Sequence, residues 1–294
     1  KGGCRLIEYS GHFMQYMTLN CQTEPAMNLL SATLSRVKPS PTIAVTTQAA
    51  ELKAAGRDII GLGAGEPDFD TPQNIKDAAI AAINAGKTKY TAVDGIAELK
   101  QAICAKFKRD NGLDYKPSQI SVGTGGKQVL FNALMATVNA GDEVIIPTPF
   151  WVSFTGIVEF AGGIPVLVEC PISAKLKMTA EQFEAAITPR TKCLILHSPS
   201  NPGGVGYTEA DLTAFAEVLR RHPHVHLFSD DIYEHLTYDD YKFATMRAVA
   251  PDLGDRIVTL NGVSKSYCMT GWRIGYGAAP APLIKAMAKL QSQS

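Results

Sequence analysis

Residues able to do covalent chemistry follow several short apolar runs of this 294-residue sequence. Lys265 comes five residues after the run RIVTL (256–260), and Arg273 follows eight residues later. A lysine held away from water near other cations loses proton affinity and becomes an amine nucleophile. An arginine can hold a phosphate through two parallel hydrogen bonds. Taken alone, Lys265 is more simply interpreted as a solvated surface lysine.

A glycine-rich turn, GTGGKQ, follows the run ISV (120–122) and precedes a helical pattern. The free N–H groups and dipole of a helix start favour an anion such as phosphate. Gly125 and Gly126 would let the backbone approach it, and Lys127 adds a positive charge. Gln128 stands where both the Walker A motif and the dinucleotide fingerprint need another residue. A tight turn without a ligand remains the alternative.

Two further runs end in polar residues. KCLILH (192–197) is followed by SPSNPGG, in which Asn201 is a directional hydrogen-bonding group. VHLF (225–228) is followed by SDDIYEHL, which contains Asp230 and Tyr233. On local grounds Asn201 could serve only its turn, and Asp230 could cap a helix.

A metal site is disfavoured by the spacing of the candidate ligands. Asp230 and Asp231 are adjacent, so on a strand they point to opposite faces. His222, His224 and His226 alternate with other residues rather than standing at helical spacing. We therefore expect no metal.

These residues require a scaffold that brings strand ends together. Strand-like runs alternate with helical stretches, which predicts a mostly parallel sheet covered on both faces, with ligands beyond the carboxyl ends of its strands. Capping-box spacing begins helices at Thr179 and Thr208, while Thr71 and Asp94 are candidate caps of two earlier helices. The six predicted strands are 120–122, 143–147, 164–169, 192–197, 225–229 and 256–260.

The combined inventory is an amine, an acid, hydrogen-bonding groups and phosphate donors. It suits pyridoxal 5'-phosphate, whose aldehyde needs a lysine and whose ring nitrogen needs a carboxylate. The 28 basic and 28 acidic residues balance, so charge indicates neither nucleic-acid nor membrane binding. Six scattered cysteines without a C-x-x-C pair favour reduced thiols in the cytoplasm.

At this point the sequence resembles a known family, the fold-type I, class I aminotransferases, and within it the prokaryote-type aspartate aminotransferase subgroup. The resemblance covers about residues 27–294. Its matching stretches are GEPDFDTP (65–72), KTKYTAVDGIAELK (87–100), VGTGGKQVLFN (122–132), PTPFWVSF (147–154), SPSNPGG (198–204), SDDIYEHL (229–236) and NGVSKSYCMTGWRIGY (261–276).

The resemblance implies a role for each site residue. Lys265 would form the Schiff base with the cofactor, Asp230 would pair with its ring nitrogen, and Tyr233 and Asn201 would bind its ring hydroxyl oxygen. Trp151 would stack on the ring. The remaining assignments are phosphate binding by Gly125, Gly126, Lys127 and Arg273, phosphate binding in a neighbouring subunit by Tyr90, and substrate binding by Gly65, Trp151, Asn201 and Lys38.

The resemblance also implies the architecture. We expect a seven-stranded, mostly parallel sheet flanked by helices in a large domain at 73–294. Residues 27–72 would form an N-terminal arm and part of a small domain. Relatives continue beyond the position of Ser294, so the small domain would be incomplete. Residues 1–26 are expected to be an extension outside the family.

The implied function is transfer of an amino group from an L-amino acid, aspartate first, to a 2-oxo acid such as 2-oxoglutarate, by a homodimer with ping-pong kinetics. Prephenate is another possible acceptor. A β-lyase or synthase using the same cofactor is one alternative. A fragment that folds or binds cofactor without turnover is another.

Overall fold

A seven-stranded sheet forms the centre of the molecule. The computed structural model describes residues 29, 31–39 and 41–294, so the predicted extension at 1–26 lies outside the described residues. The strands are β1 (Ile120–Thr124), β2 (Glu143–Pro147), β3 (Ile164–Val168), β4 (Thr191–His197), β5 (His226–Asp230), β6 (Ile257–Gly262) and β7 (Ile274–Ala278).

The described helices are α1 (Pro41–Ala54), α2 (Gln73–Asn84), α3 (Ala97–Asn111), α4 (Gly126–Thr137), α5 (Ser153–Phe160), α6 (Ala180–Ala185), α7 (Glu209–Arg221), α8 (Met246–Val249) and α9 (Ala281–Gln291). Helices α4, α5 and α9 pack on one face of the sheet, and α6, α7 and α8 pack on the other. The predicted α/β class is confirmed. The domain boundary at residue 73 stays a prediction.

The strand order is β1-β7-β6-β5-β4-β2-β3. Strands β2 to β6 pair in parallel, while β7 is antiparallel to both β1 and β6. The carboxyl ends of the parallel strands therefore share one edge with the amino end of β7. This topology puts the residue before β7, Arg273, at the same edge as the residues that follow β1, β4, β5 and β6.

Alternate side chains of β4 enter two separate apolar cores. Cys193 and Ile195 pack with α4, α5 and α9 on one face. Leu194 and Leu196 pack with α6, α7 and α8 on the other. All four are at most 1% exposed. Burial of each Leu or Ile side chain contributes about 1.5–3 kcal/mol, which explains why a strand covered on both faces reads as a continuous apolar run.

The sequence predicted two helix starts correctly. Thr179 and Thr208 each accept a hydrogen bond from the backbone of the third helical residue and complete a capping box. Gly112 takes the left-handed conformation that ends α3, with a φ of 68°.

Two predicted helix caps were wrong. Asp94 does not cap α3, which begins after Ile96, because its carboxylate instead accepts a hydrogen bond from Lys100 Nζ at 2.5 Å. The cap predicted at Thr71 is wrong by one residue, since Pro72 occupies the cap position of α2. The Thr71 hydroxyl donates to the carbonyl of Cys268, 2.6 Å away, and so ties this segment to the site loops.

Strand β7 was not among the six strands read from local pattern, because its sequence IGYGA lacks the apolar density of its neighbours. The glycines have a packing reason. A Cβ at Gly275 would collide with the backbone of Gly125 and Gly126 at the start of α4. Gly275 therefore permits the sheet and the first turn of α4 to touch.

Gly275→Ala is expected to lower the free energy of unfolding by about 1–3 kcal/mol, because the added methyl group has no space between two backbones. Urea denaturation measures the effect. Gly61→Ala is the matched control, since its methyl group would meet open space, and its effect should stay within about 0.5 kcal/mol. Equal effects of the two changes would contradict the packing argument.

Candidate functional site

A cavity of about 620 Å³ opens at the carboxyl edge of the sheet. Most of the predicted site residues, which come from distant parts of the chain, line it together. They are Gly65, Gly126, Lys127, Trp151, Asn201, Asp230, Tyr233, Lys265 and Arg273. Strand ends and the helix start, rather than one continuous segment, therefore build the site.

Three predicted residues are absent from the lining of this cavity. One is Gly125, which lies directly beside the lining residues Gly126 and Arg273; the other two are Tyr90 and Lys38. Tyr90 is fully exposed, and Lys38 is exposed in the segment ahead of α1. Within this single chain neither is brought to the other site residues. Their assignments, to a neighbouring subunit and to a substrate carboxylate, stay predictions.

The turn between β1 and α4 forms an anion cradle with Arg273. Gly125 has a φ of 81°, and a Cβ there would collide with the Arg273 guanidinium. Arg273 Nη2 donates to the Thr124 carbonyl at 3.3 Å, and Nη1 donates to the Thr270 carbonyl at 2.9 Å. The guanidinium is thus fixed beside the N–H groups at the start of α4, which have no intrahelical acceptors. Such an arrangement binds phosphate or a similar anion.

Lys265 projects from the loop after β6 toward the segment 62–66. Its Nζ donates to the Gly65 carbonyl at 2.6 Å. Burial of this half-buried side chain lowers its pKa, and the nearby Arg273 charge lowers it further, against an opposing effect of Glu66. The amine is therefore neutral at a lower pH than an ordinary lysine, which suits a nucleophile or a general base.

Asp230 ends β5 and is 8% exposed. Burial raises its pKa, and the neighbouring His197 opposes the rise. The β4–β5 register pairs His197 with Asp230, so the imidazole Nδ1 lies 3.1 Å from the Asp230 carbonyl and 3.4 Å from its Oδ2. A buried carboxyl at the cavity wall favours a cationic partner such as a protonated ring nitrogen.

Asp231, the next residue, points away from the cavity. It is buried, and its Oδ1 accepts a hydrogen bond from the Ser229 hydroxyl at 2.6 Å. Burial raises the pKa of Asp231 to about 8. The two adjacent acids therefore serve different surroundings, as the alternation of strand side chains requires.

Trp151 provides a flat apolar wall of the cavity. Its ring packs edge-on against Phe154, with centroids 5.5 Å apart. Lys127 Nζ lies 5.0 Å from the Trp151 ring centroid, within cation–π range. Partial burial and the Arg273 charge lower the pKa of Lys127. The wall can accept a planar ring, with positive charge nearby.

Asn201 and Tyr233 both line the cavity. The Asn201 amide Nδ2 lies 3.5 Å from the Tyr233 hydroxyl oxygen, a long hydrogen bond. Burial raises the pKa of Tyr233, and the Asp230 charge adds to the rise, while Asn201 opposes it. Both groups are free to hydrogen-bond an oxygen on a bound ring.

The sequence reading missed several lining residues. His197 ends β4 one position before the quoted SPSNPGG motif, so the strand-end rule would have found it. Glu66 lies within GEPDFDTP and accepts a hydrogen bond from the Thr270 hydroxyl. That contact joins segments 204 residues apart and leaves no local signal in the sequence.

No metal centre emerges among the described residues, where no group of three histidine, cysteine or acidic side chains is placed to hold an ion. His222 instead contacts Glu184 at 3.1 Å, and His224 contacts the Thr188 carbonyl at 3.1 Å. In the part of the chain that the structure describes, no helix is both long and apolar enough to cross a membrane.

Comparison with known proteins finds one family. Residues 57–294 match the family described as aminotransferase class I and II. The aspartate/prephenate aminotransferase of Cereibacter sphaeroides is 65% identical over 268 residues, which cover 91% of this chain and 67% of that protein. The aspartate aminotransferase of Rhizobium meliloti is 52% identical over 278 residues, covering 95% of this chain and 68% of that protein.

Solved structures of aspartate aminotransferases also match this chain. The crystal structure of the Rhizobium meliloti aspartate aminotransferase matches with a TM-score of 0.87 at 53% identity, covering 90% of this chain and 66% of that one. The Thermus thermophilus enzyme with maleate matches with a TM-score of 0.86 at 46% identity, covering 90% and 68%. The chain thus spans about two thirds of the length of these relatives.

Lys265 is expected to react with an amine-directed acylating reagent at a lower pH than an ordinary lysine side chain, because burial lowers its pKa. Peptide mass spectrometry across a pH series would give its reaction midpoint. Lys87, which is exposed, serves as the comparison in the same sample. Identical midpoints for the two residues would show that Lys265 is not perturbed.

Asp231→Asn is expected to flatten the pH dependence of stability. The unfolded chain ionises Asp231 near its ordinary pKa of 3.8, whereas the folded chain holds the proton until about pH 8. Native stability contributed by this group is therefore lost as pH rises between these values. Urea denaturation across that range should show that the free energy of unfolding of the variant rises relative to that of the parent as pH increases.

Asp240→Asn, at an exposed carboxylate, controls for the loss of one negative charge. A constant difference between Asp231→Asn and the parent from pH 4 to pH 8 would refute the assignment of a buried, protonated acid.

Proposed function

The chain belongs to the class I and II aminotransferases, and from that premise we propose that the whole protein is an aminotransferase dependent on pyridoxal 5'-phosphate. It moves an amino group between an L-amino acid, aspartate first, and a 2-oxo acid, 2-oxoglutarate first. Both named relatives are described as acting on aspartate. The Cereibacter sphaeroides relative is also named for prephenate, which makes prephenate a second candidate acceptor.

One observation carries the proposal: a lysine amine, a buried acid and an anion cradle line one cavity. Asp230 ends β5, Lys265 follows the neighbouring strand β6, and Arg273 with the start of α4 lines the same cavity. A phosphorylated ring that carries an aldehyde and a basic nitrogen needs these three partners. The glycine at Gly125, where a side chain would fill the cradle, also fits a phosphate group.

When bound, pyridoxal phosphate supplies an electron sink that stabilises negative charge at the α-carbon of an attached amino acid. The chain supplies the proton chemistry. Lys265 Nζ, with its lowered pKa, is suited to remove the α-proton as a general base and to return it as a general acid. Asp230 would hold the proton on the ring nitrogen. Trp151 would orient the ring, and Asn201 and Tyr233 would bind its hydroxyl oxygen.

Substrate placement follows from the contact between Lys265 and Gly65. The Gly65 backbone lies next to the amine in the described structure, so a substrate carboxylate held by this segment would lie beside the base. Lys127 is proposed as a phosphate ligand together with Gly126 and Arg273. Lys38 is proposed to meet the distal carboxylate of the substrate.

We also propose a homodimer in the cytoplasm. Tyr90 is exposed at the surface, which leaves it free to reach the phosphate site of a second copy. The four described cysteines, Cys104, Cys170, Cys193 and Cys268, are free thiols, in keeping with a reducing compartment.

The test is to add pyridoxal phosphate and follow its absorbance during titration with aspartate, glutamate and cysteine sulfinate. We expect a visible band of bound cofactor that the true amino donor shifts. Lys265→Ala should abolish the band and lower turnover at least about a hundredfold, the lower range for a lost general base. Lys285→Ala, at an exposed lysine of α9, should change neither.

A normal band and normal turnover in Lys265→Ala would overturn the proposal. Release of pyruvate and ammonia from a β-substituted alanine, with no amino acceptor present, would instead indicate a lyase. Aspartate turnover by the purified 294-residue chain would exclude the alternative of cofactor binding without catalysis.

A further inference from the structure

A buried charged cluster lies behind the cavity and takes no part in the chemistry proposed above. Its centre is Glu234, which follows Tyr233 and whose side chain is 3% exposed. Lys106 of α3 pairs with Glu234 Oε1. Asn111 Nδ2, from the last residue of α3, donates to Glu234 Oε2 at 2.9 Å. The carboxylate thus ties the loop after β5 to a helix that lies outside the cavity.

Asn261 connects the same carboxylate to the lysine loop. Its Nδ2 donates to Glu234 Oε1 at 2.7 Å, while its Oδ1 accepts a hydrogen bond from the Gly262 N–H at 2.7 Å. Both ends of this buried amide are therefore used. Lys265 stands only three residues beyond Gly262, so the contact between Glu234 and Asn261 reaches the end of the strand that leads to the amine.

Stability alone does not account for this arrangement. Burying two charges costs desolvation free energy, and apolar side chains of similar size often serve a fold equally well. A hydrogen bond to a carboxylate oxygen is directional, so it fixes the position of the Asn261 side chain in a way that an apolar contact does not. Groups that must act together need support of this kind, because small displacements lower their efficiency.

We propose that Glu234 is a positioning residue that fixes Lys265 relative to Asp230 and Tyr233 through the side chain of Asn261. The inference rests on the proposed function, since it assigns Glu234 a task only if Lys265 is the reacting amine. The essential element is the hydrogen bond from Asn261, and the ion pair with Lys106 is dispensable.

A matched pair of double variants separates these two contributions. Lys106→Met with Glu234→Gln removes both charges but keeps an Oε1 acceptor for Asn261. The Asn111 amide, released by Lys106, can turn to accept from the new Gln amide. Lys106→Met with Glu234→Leu also removes both charges but leaves the Nδ2 groups of Asn261 and Asn111 without their acceptor. Neither variant buries an unpaired charge, so circular dichroism and thermal unfolding can verify that both fold.

The readout is covalent capture of an aldehyde rather than turnover. Each protein is incubated with pyridoxal phosphate for a series of times and reduced with cyanoborohydride, and peptide mass spectrometry measures labelling at each lysine. Lys127 is the internal reference, because it lines the same cavity but belongs to α4 and makes no described contact with Glu234. The quantity compared is the labelling rate of Lys265 divided by that of Lys127.

We expect the Gln variant to keep this ratio within about twofold of the parent. In the Leu variant the ratio should fall about fivefold or more, because a buried donor left without an acceptor is costly and moves to find one. Equal ratios in the two variants, or a parallel loss at Lys127, would overturn the positioning role. Absence of labelling at Lys265 in the parent chain would instead overturn the proposed function itself.

Discussion

The close approach of β7 to the first turn of α4 is the contact on which both the fold and the site depend. Strand β7 runs antiparallel between β1 and β6, so its first residue lies at the carboxyl edge of the parallel strands. Gly275 leaves room for the backbone of Gly126. Arg273, just ahead of the strand, consequently lies directly against Gly125. This contact between two backbones thereby joins the sheet to α4 and brings Arg273 to the anion cradle.

Desolvation acts on the two central groups of the cavity in complementary ways. Burial is the largest cause of the raised pKa of Asp230 and of the lowered pKa of Lys265. Both groups are therefore pushed toward their neutral forms, and His197 and Glu66 oppose this only in part. A ligand that brings a positive charge to Asp230 recovers interaction energy that water no longer supplies. The cavity therefore favours a ligand whose positive charge lies next to Asp230.

Local pattern predicted the elements whose ends are decided by neighbouring residues, such as the capping boxes at Thr179 and Thr208. It also located the strand ends that carry most of the candidate site, because parallel strands share an edge. Local pattern failed where a contact with a residue elsewhere in the chain determines the structure. Strand β7 is shaped by a helix start far along the chain, and Asp94 is taken by Lys100. Glu234 receives partners that lie more than a hundred residues earlier in the chain, a relation no local motif encodes.

The anion cradle is divided between the turn at Gly125 and Gly126 and the guanidinium of Arg273, whose bond to Thr124 joins positions 149 residues apart. During synthesis the first half leaves the ribosome while β5, β6 and β7 are still unmade. A nascent chain therefore contains the turn at Gly125 and Gly126 before Arg273 has been made, and the anion cradle cannot be completed until almost the whole sheet exists. Closing the long loop between these positions is slow. The full set of donors for an anion is therefore assembled only once β7 has joined the sheet.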